Sequence, residues 1–392
     1  MDTTRIGRRG RALTLTAACL ALFVIFLDNT IVNVALPSIQ RDLSATPDAL
    51  EWVVSAYVVA FAGLVLLGGT LGDRFGRRRL FIAGLLLFAA ASAVGALAST
   101  AAVLTAARAG QGVGAALLAP LSLSLLAQAF PRDKLPAAIG VWAGVSGLGL
   151  AIGPLVGGLL VEHTGWHAVF WVNVPIAAAA AIAAAGATAS RNTARAAIDV
   201  PGAALATAGL VGTVAGLTRA VRHPWTDPTV LALLVIGALL LVGFAARQRT
   251  ASAPLIPTQT LHDRRFRAAA AVVALASFTL LGSIWFLTLY LQNVAGYGAV
   301  AAGVRTLPLT VTTLIVAPIA GKIATRRGPV PVLAVGLVVT TAAFAALARV
   351  DTGTGYGYLA AALLTLGAGL ALVLPTAVAV MLDGVAPDQA GV

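Results

Sequence analysis

Two charged residues lie deep in apolar sequence. Asp28 stands in residues 27–37, LDNTIVNVALP, and Arg108 in residues 104–116, LTAARAGQGVGAA. An ionised carboxylate at the depth of Asp28 costs about 2.5 to 3.5 kcal/mol on membrane-insertion scales, so a retained one marks a functional site by default. A carboxyl withdrawn from water favours its neutral form. The chemistry open to Asp28 is therefore uptake and release of a proton. Asn29 and Asn33 follow within about 140° on a wheel of 3.6 residues per turn and give that helix one polar face. Arg108 needs partners at such a depth, and Asp28, Gln111 or helix-end carbonyls are available. By lying nearer to Asp28 in one state than in another it would bias the proton. The plainer readings are an interhelical hydrogen bond for Asp28 and a snorkelling membrane anchor for Arg108.

Two further stretches suit moving parts. Residues 69–79, GTLGDRFGRRR, place Asp73 among Gly69, Arg74, Gly76 and Arg77. Acid, arginines and glycines together make a tight hairpin whose ion pair can act as a latch, breaking when two helical bundles rock. A basic loop alone would need neither the acid nor the glycines. Residues 149–158, GLAIGPLVGG, repeat Gly149, Gly153 and Gly157 every fourth position, with Gly158 beside them and Pro154 bending the helix. A bare, bent stripe suits a gating helix at a bundle interface, and it also serves ordinary close packing. For a midplane cavity the side chains with suitable chemistry are Asn29, Asn33, Tyr57, Gln111, Phe278, Trp285, Tyr290, Gln292 and Asn293.

These residues must be positioned by membrane helices. Apolar residues make up 59% of the 392-residue chain and charged ones only 10%, whereas soluble domains carry about 25% charged. Counting runs of roughly 20 apolar residues predicts twelve spans, near 12–36, 52–72, 80–98, 101–129, 137–161, 168–189, 200–218, 230–246, 268–291, 299–321, 330–348 and 357–382. The turn after span 2 recurs after span 10 as GKIATRRGP, residues 321–329, with Thr325 where Asp73 stood. Gly112, Gly114 and Pro120 likewise recur at Gly367, Gly369 and Pro375. Such offsets mark a duplicated bundle. The expected organisation is a cytosolic basic stretch at 1–11, a six-helix bundle at 12–189, two inserted helices with a cytosolic loop at 190–266, and a partial four-helix bundle at 267–392. A full second bundle would need two more helices.

The formal charge of +12 raises the question of a polyanionic partner. Twenty of the 26 basic residues fall on one side of the predicted spans and four on the other. This is the positive-inside pattern; it puts both ends of the chain in the cytosol and removes the case for nucleic acid. Cys19, the single cysteine, excludes an internal disulfide. The sequence GVSG at 144–147 could supply a serine nucleophile, but all four histidines lie in predicted loops or helix ends, so enzyme chemistry is not expected. Gly165 separates Glu162 and His163 from His167, leaving no metal site, and no phosphate-binding loop supports ATP-driven pumping. The expected cofactor is none, with the proton gradient as energy source.

Together these stretches resemble the major facilitator superfamily, within it the fourteen-span drug:proton antiporters of the EmrB/QacA type, apparently without the last two spans. Residues 69–79 look like its cytoplasmic loop signature, 104–116 like its fourth-helix arginine motif, 149–158 like its antiporter motif and 27–37 like the first-helix signature of that branch. Residues 166–176, WHAVFWVNVPI, resemble its sixth-helix entry, with His167 and Ala168 where arginine and a second aromatic are usual. The resemblance implies alternating-access efflux of small amphipathic, cationic or neutral compounds in exchange for protons. By it, Asp28 carries the proton, Arg108 is its partner, and Asp73 with Arg74 and Arg77 forms the latch. The alternatives are proton-linked transport of one specific metabolite, or a membrane protein too short to transport. Twenty-four arginines against two lysines fit a GC-rich bacterium, so the expected setting is the lipid bilayer of the bacterial inner membrane, as a monomer.

Overall fold

The computed structural model describes residues 7–131, 134–187, 199–251 and 263–383. Parts of the predicted basic stretch (1–6), of the first bundle (132–133 and 188–189), of the linker (190–198 and 252–262, which includes His262) and of the second bundle (384–392) lie outside the described residues. Among the described residues there is no strand, and twelve helices are long and apolar enough to cross a membrane, the number read from the sequence. They are α1 (Arg8–Asp42), α2 (Pro47–Phe75), α3 (Arg77–Ala96), α4 (Ala101–Ala129) and α5 (Leu135–Thr164). Next come α6 (His167–Gly186, broken by one turn residue at Val172), α7 (Val200–Arg219) and α8 (Pro228–Gln248). The last four are α9 (Arg264–Leu289, running into a π-helical turn at Tyr290–Val294), α10 (Ala299–Arg327), α11 (Pro329–Leu347) and α12 (Tyr356–Asp383).

Local sequence sets where these helices begin and end. Thr46, Thr100, Asp199, Asp227 and Asp263 precede α2, α4, α7, α8 and α9, and each accepts a hydrogen bond from a first-turn amide, satisfying donors that the helix leaves unpaired. Gly76 and Gly328 end α2 and α10 with φ of 98° and 84°, a region that side chains avoid. The repeated turn therefore keeps its glycine because the backbone reverses there in both copies.

Helices α1 to α6 pack on one another, with α4 against α2 and α3, and with α1 against α4, α5 and α6. Phe81, Leu85, Phe88, Leu118 and Leu121 form the core of this group. Helices α9, α10 and α11 pack on α12 around Leu363, Leu366 and Leu370. The groups meet mainly where α5 lies along α10. A Cβ on Gly140 would stand 2.5 Å from the carbonyl oxygen of Ala317, and one on Gly144 2.9 Å from the Cα of Leu314. Helix α7 pairs with α8 and leans on α2, with Arg222 on Glu51 at 3.0 Å. Phe278, Trp285 and Phe286 on α9 and Val338 on α11 are exposed, as expected of helices that face lipid.

The glycine stripe of α5 differs from its expected position. Gly149, Gly153 and Gly157 seat α5 on α1 inside the first group, against Phe23, Thr30 and Ile31. The contact with the second group falls to Gly140 and Gly144, more than one turn earlier on the same helix. The physical reason is that one helix has two small-residue stripes. Spacing within a stripe does not say which neighbour it meets.

Candidate functional site

Helix α1 presents Asp28 towards α4, where Arg108 and Gln111 stand three residues apart on one face. Gly112 beside them lets α4 approach α2, since a Cβ there would lie 2.5 Å from the Tyr57 carbonyl oxygen. The result is a polar cluster enclosed by apolar side chains: Asp28, Gln111, Ser92 and Asn173 are wholly buried and Arg108 is 1% exposed. Arg108 Nη1 donates to Asp28 Oδ2 and to Gln111 Oε1 at 2.8 Å. Its Nε donates to the Val53 carbonyl oxygen at 3.2 Å. Its guanidinium lies 4.4 Å from the centre of the Tyr57 ring, within cation–π range. Asp28 Oδ1 receives Gln111 Nε2 at 2.9 Å and Asn173 Nδ2 at 2.7 Å. Gln111 Nε2 also donates to Ser92 Oγ at 2.7 Å. Five helices thus share one buried ion pair.

Such a pair holds its charge only while both partners are present. Desolvation costs each ion several kcal/mol, and removing one partner of a buried pair costs about 3 to 5 kcal/mol. The arrangement can therefore hold an ionised carboxylate in an apolar bundle, and a proton arriving at Asp28 would remove the attraction for Arg108.

The other predicted residues fall into separate places. Asp73 Oδ1 accepts from Arg77 Nε at 2.5 Å across the α2–α3 turn, so the acid pairs within its own hairpin. Arg77 is buried, Gly69 is buried and Arg74 is exposed, 5.6 Å from the Phe75 ring. Arg78, which the sequence reading did not single out, donates from Nε to the Ala184 carbonyl oxygen at 2.8 Å and ties the turn to the end of α6. Pro154 and Gly158 on α5 are half-buried.

Among the described residues, the side chains predicted for a cavity stand in separate places. Asn29 and Asn33 lie on the exposed face of α1, where Asn33 Nδ2 donates to the Asn29 carbonyl oxygen. Tyr57 and Gln111 are buried in the polar cluster. Phe278 and Tyr290 border a cavity of about 430 Å³ between α9, α11 and α12, with Phe286 and Phe344 on its wall. Trp285 and Asn293 are exposed and Gln292 half-buried, outside that lining. Suitable chemistry was legible in each residue, but the helix rotations that decide convergence were not. Ser92 and Asn173 were missed, although an amide among apolar residues just ahead of Pro175 was a usable signal. Arg305, the second arginine within a span, lies 3.7 Å from the Tyr297 ring centre and 5.4 Å from that of Tyr356.

Comparison with known proteins adds what geometry alone cannot. The model of the family described as Major Facilitator Superfamily matches residues 18–392. The tetracenomycin C resistance and export protein of Streptomyces glaucescens is 38% identical over 89% of this chain and 65% of its own length. The puromycin resistance protein pur8 of Streptomyces alboniger is 40% identical over 84% of this chain and 66% of its own. The multidrug resistance protein Stp of Mycobacterium tuberculosis is 36% identical over 83% and 61%. The chain thus spans slightly less than two thirds of these relatives. Among solved structures, the human organic anion transporter MFSD10 superposes with a TM-score of 0.65 at 18% identity, over 98% of this chain and 88% of that one. The proton:xylose symporter XylE gives 0.62 at 16%, over 97% and 85%. At those identities the likeness is one of fold.

Proposed function

The chain belongs to the major facilitator superfamily, and from that premise we propose that it is a secondary active transporter that exports amphipathic compounds in exchange for protons. The family match and the relatives support a multi-pass membrane transporter in preference to an enzyme. The observation that carries the proton-coupled reading is the Asp28–Arg108 pair, enclosed between α1 and α4 and joined there by Gln111 and Asn173. An ionised Asp28 binds Arg108 and holds α1 to α4. A protonated one loses the charge attraction and keeps only a weaker hydrogen bond from Arg108, so the bundle has two arrangements for a proton and a substrate to bias in opposite senses. The Asp73–Arg77 pair would then stiffen the cytosolic α2–α3 turn as the bundles rock.

Support for export comes from the relatives, three of which are named for resistance or export. Helices α9 to α11 contain no acid, which favours monocationic or neutral substrates over dications. The setting is the bacterial cytoplasmic membrane, with the basic loops in the cytosol.

The test is efflux of a fluorescent lipophilic cation from energised cells expressing residues 1–392. Asp28→Asn and the charge-neutral pair Asp28→Asn/Arg108→Gln are run beside it, with membrane insertion checked. Efflux that stops with an uncoupler and in both variants supports the reading; full activity in a well-inserted Asp28→Asn protein removes the acid from the scheme. Two of the relatives are named for single antibiotics, which favours a second reading, a proton-linked exporter of one compound class. Under it the generic cation stays in the cell and a panel of antibiotics identifies the cargo.

A further inference from the structure

Three side chains donate to Asp28: Arg108, Gln111 and Asn173. When the acid takes up a proton, the groups already bonded to it are the nearest candidates to accept its new O–H, which would otherwise stay unpaired in an apolar bundle. Arginine has no acceptor. Gln111 is fixed from both ends of its amide, because Oε1 accepts from Arg108 while Nε2 donates to Asp28 and Ser92. Turning it over would set its NH2 against a guanidinium. Asn173 differs. It is wholly buried, its Nδ2 donates to Asp28 Oδ1, and its own Oδ1 has no partner.

We propose that Asn173 is the positioning residue that reads the protonation state of Asp28, donating to the carboxylate and turning its amide over to accept from the acid. A proton drawn from water binds Asp28 Oδ1, and no other bond is made or broken. After half a turn of the amide, that O–H donates to Asn173 Oδ1, Gln111 still donates to the same acid oxygen, and Arg108 still donates to Oδ2. One amide atom of Asn173 is unpaired in each state, so the switch buries no additional unsatisfied group. On release the proton returns to water and the amide turns back. The residue begins the helical stretch that follows the break at Val172, two positions before Pro175, so the change arises where α6 is already irregular. Because α6 packs on both α1 and α3, the amide links the proton site to a third helix besides α1 and α4.

The inference rests on the reading that Asp28 takes up a proton. The charged and titratable groups facing Asp28 are Arg108 from α4 and Tyr57 from α2. Helices α3 and α6 present the neutral Ser92 and Asn173, and α5 meets α1 through glycines. The experiment is an infrared pH titration of the purified full chain in lipid, following the protonated-carboxyl band that vanishes in Asp28→Asn/Arg108→Gln. In Asn173→Leu the midpoint of that band is expected to rise by less than about one pH unit, the difference between the charge-assisted hydrogen bond lost from the carboxylate and the weaker one lost from the acid, and the band to move to higher frequency as the acid loses its acceptor. Asn173→Ser, whose hydroxyl can donate or accept, is expected to stay near the parent in both respects. An unchanged midpoint and frequency in Asn173→Leu, with Asp28 still titrating, overturns the inference and leaves the proton reading standing. A spectrum with no band assignable to Asp28 overturns both. Should the leucine variant fail to insert, Asn173→Ala removes the same groups with a smaller side chain and is read in the same way.

Discussion

Asp28 and Arg108 are 80 residues apart in sequence, yet each was identifiable on its own, because a charge within an apolar span needs a compensating partner. Their pairing makes a prediction about stability as well as transport. Asp28→Asn leaves a buried guanidinium without its counter-charge and is expected to lower stability by about 3 to 5 kcal/mol, whereas Asp28→Asn/Arg108→Gln recovers most of that loss. Thermal unfolding of the two purified variants beside the parent decides it; equal losses would mean that the pair is not energetically coupled. The residues that complete the site were harder to read. Ser92 and Asn173 are neutral and short, and such side chains serve packing and helix ends as readily as they serve an ion pair. Only contact with Gln111 and Asp28 gives them a role.

Helices meet through small residues here, and the two ends of α5 make that testable. Gly140→Val sets a branched side chain against Ala317 of α10, while Gly153→Val sets one against Thr30 of α1. Both overpack, at a cost of about 1 to 3 kcal/mol. Only the first is expected to weaken the seam between the two groups, so a disulfide engineered across α5 and α10 should form more slowly in Gly140→Val and at the parent rate in Gly153→Val. The α7–α8 pair has a clasp of its own. Arg247 Nε donates to both carboxylate oxygens of Asp199, at 2.8 and 3.0 Å, and Asp199 also accepts from the Gly202 amide at 3.1 Å. The hydrogen bonds from Arg247 hold the Asp199 carboxyl below the usual carboxylate range. A depressed carboxyl contributes its stability at any pH above the ordinary value of about 3.9 and loses it as pH falls through the folded value. Protease resistance of the α7–α8 hairpin should therefore fall in strong acid in the parent. In Asp199→Asn it should already be lower at neutral pH and change little on acidification.

At the scale of the whole molecule, the asymmetry of basic residues makes a topological prediction. With Cys19, which is buried, replaced by serine, a cysteine at His223 in the α7–α8 loop should react with an impermeant thiol reagent added outside intact cells. One at Thr250, after α8, should react only once the membrane is opened; the reverse pattern would invert the orientation. What the sequence by itself determined was the class of the molecule. Composition demanded helices that satisfy their own backbone groups in lipid, the run lengths counted twelve of them, and the repeated turn motif marked reversals at Gly76 and Gly328 that the backbone makes in both places. The cost of a buried charge singled out Asp28 and Arg108 before any contact was known. The tertiary structure alone decided which faces meet: that Tyr57 and Gln111 pack on the ion pair, that the Gly149–Gly157 stripe seats α5 on α1, and that Asn173 reaches Asp28. The reason is that a span apolar on every side carries little periodicity to fix its rotation. Burial in lipid is satisfied by any face, and only the fit of one helix against its neighbours selects the face turned inward.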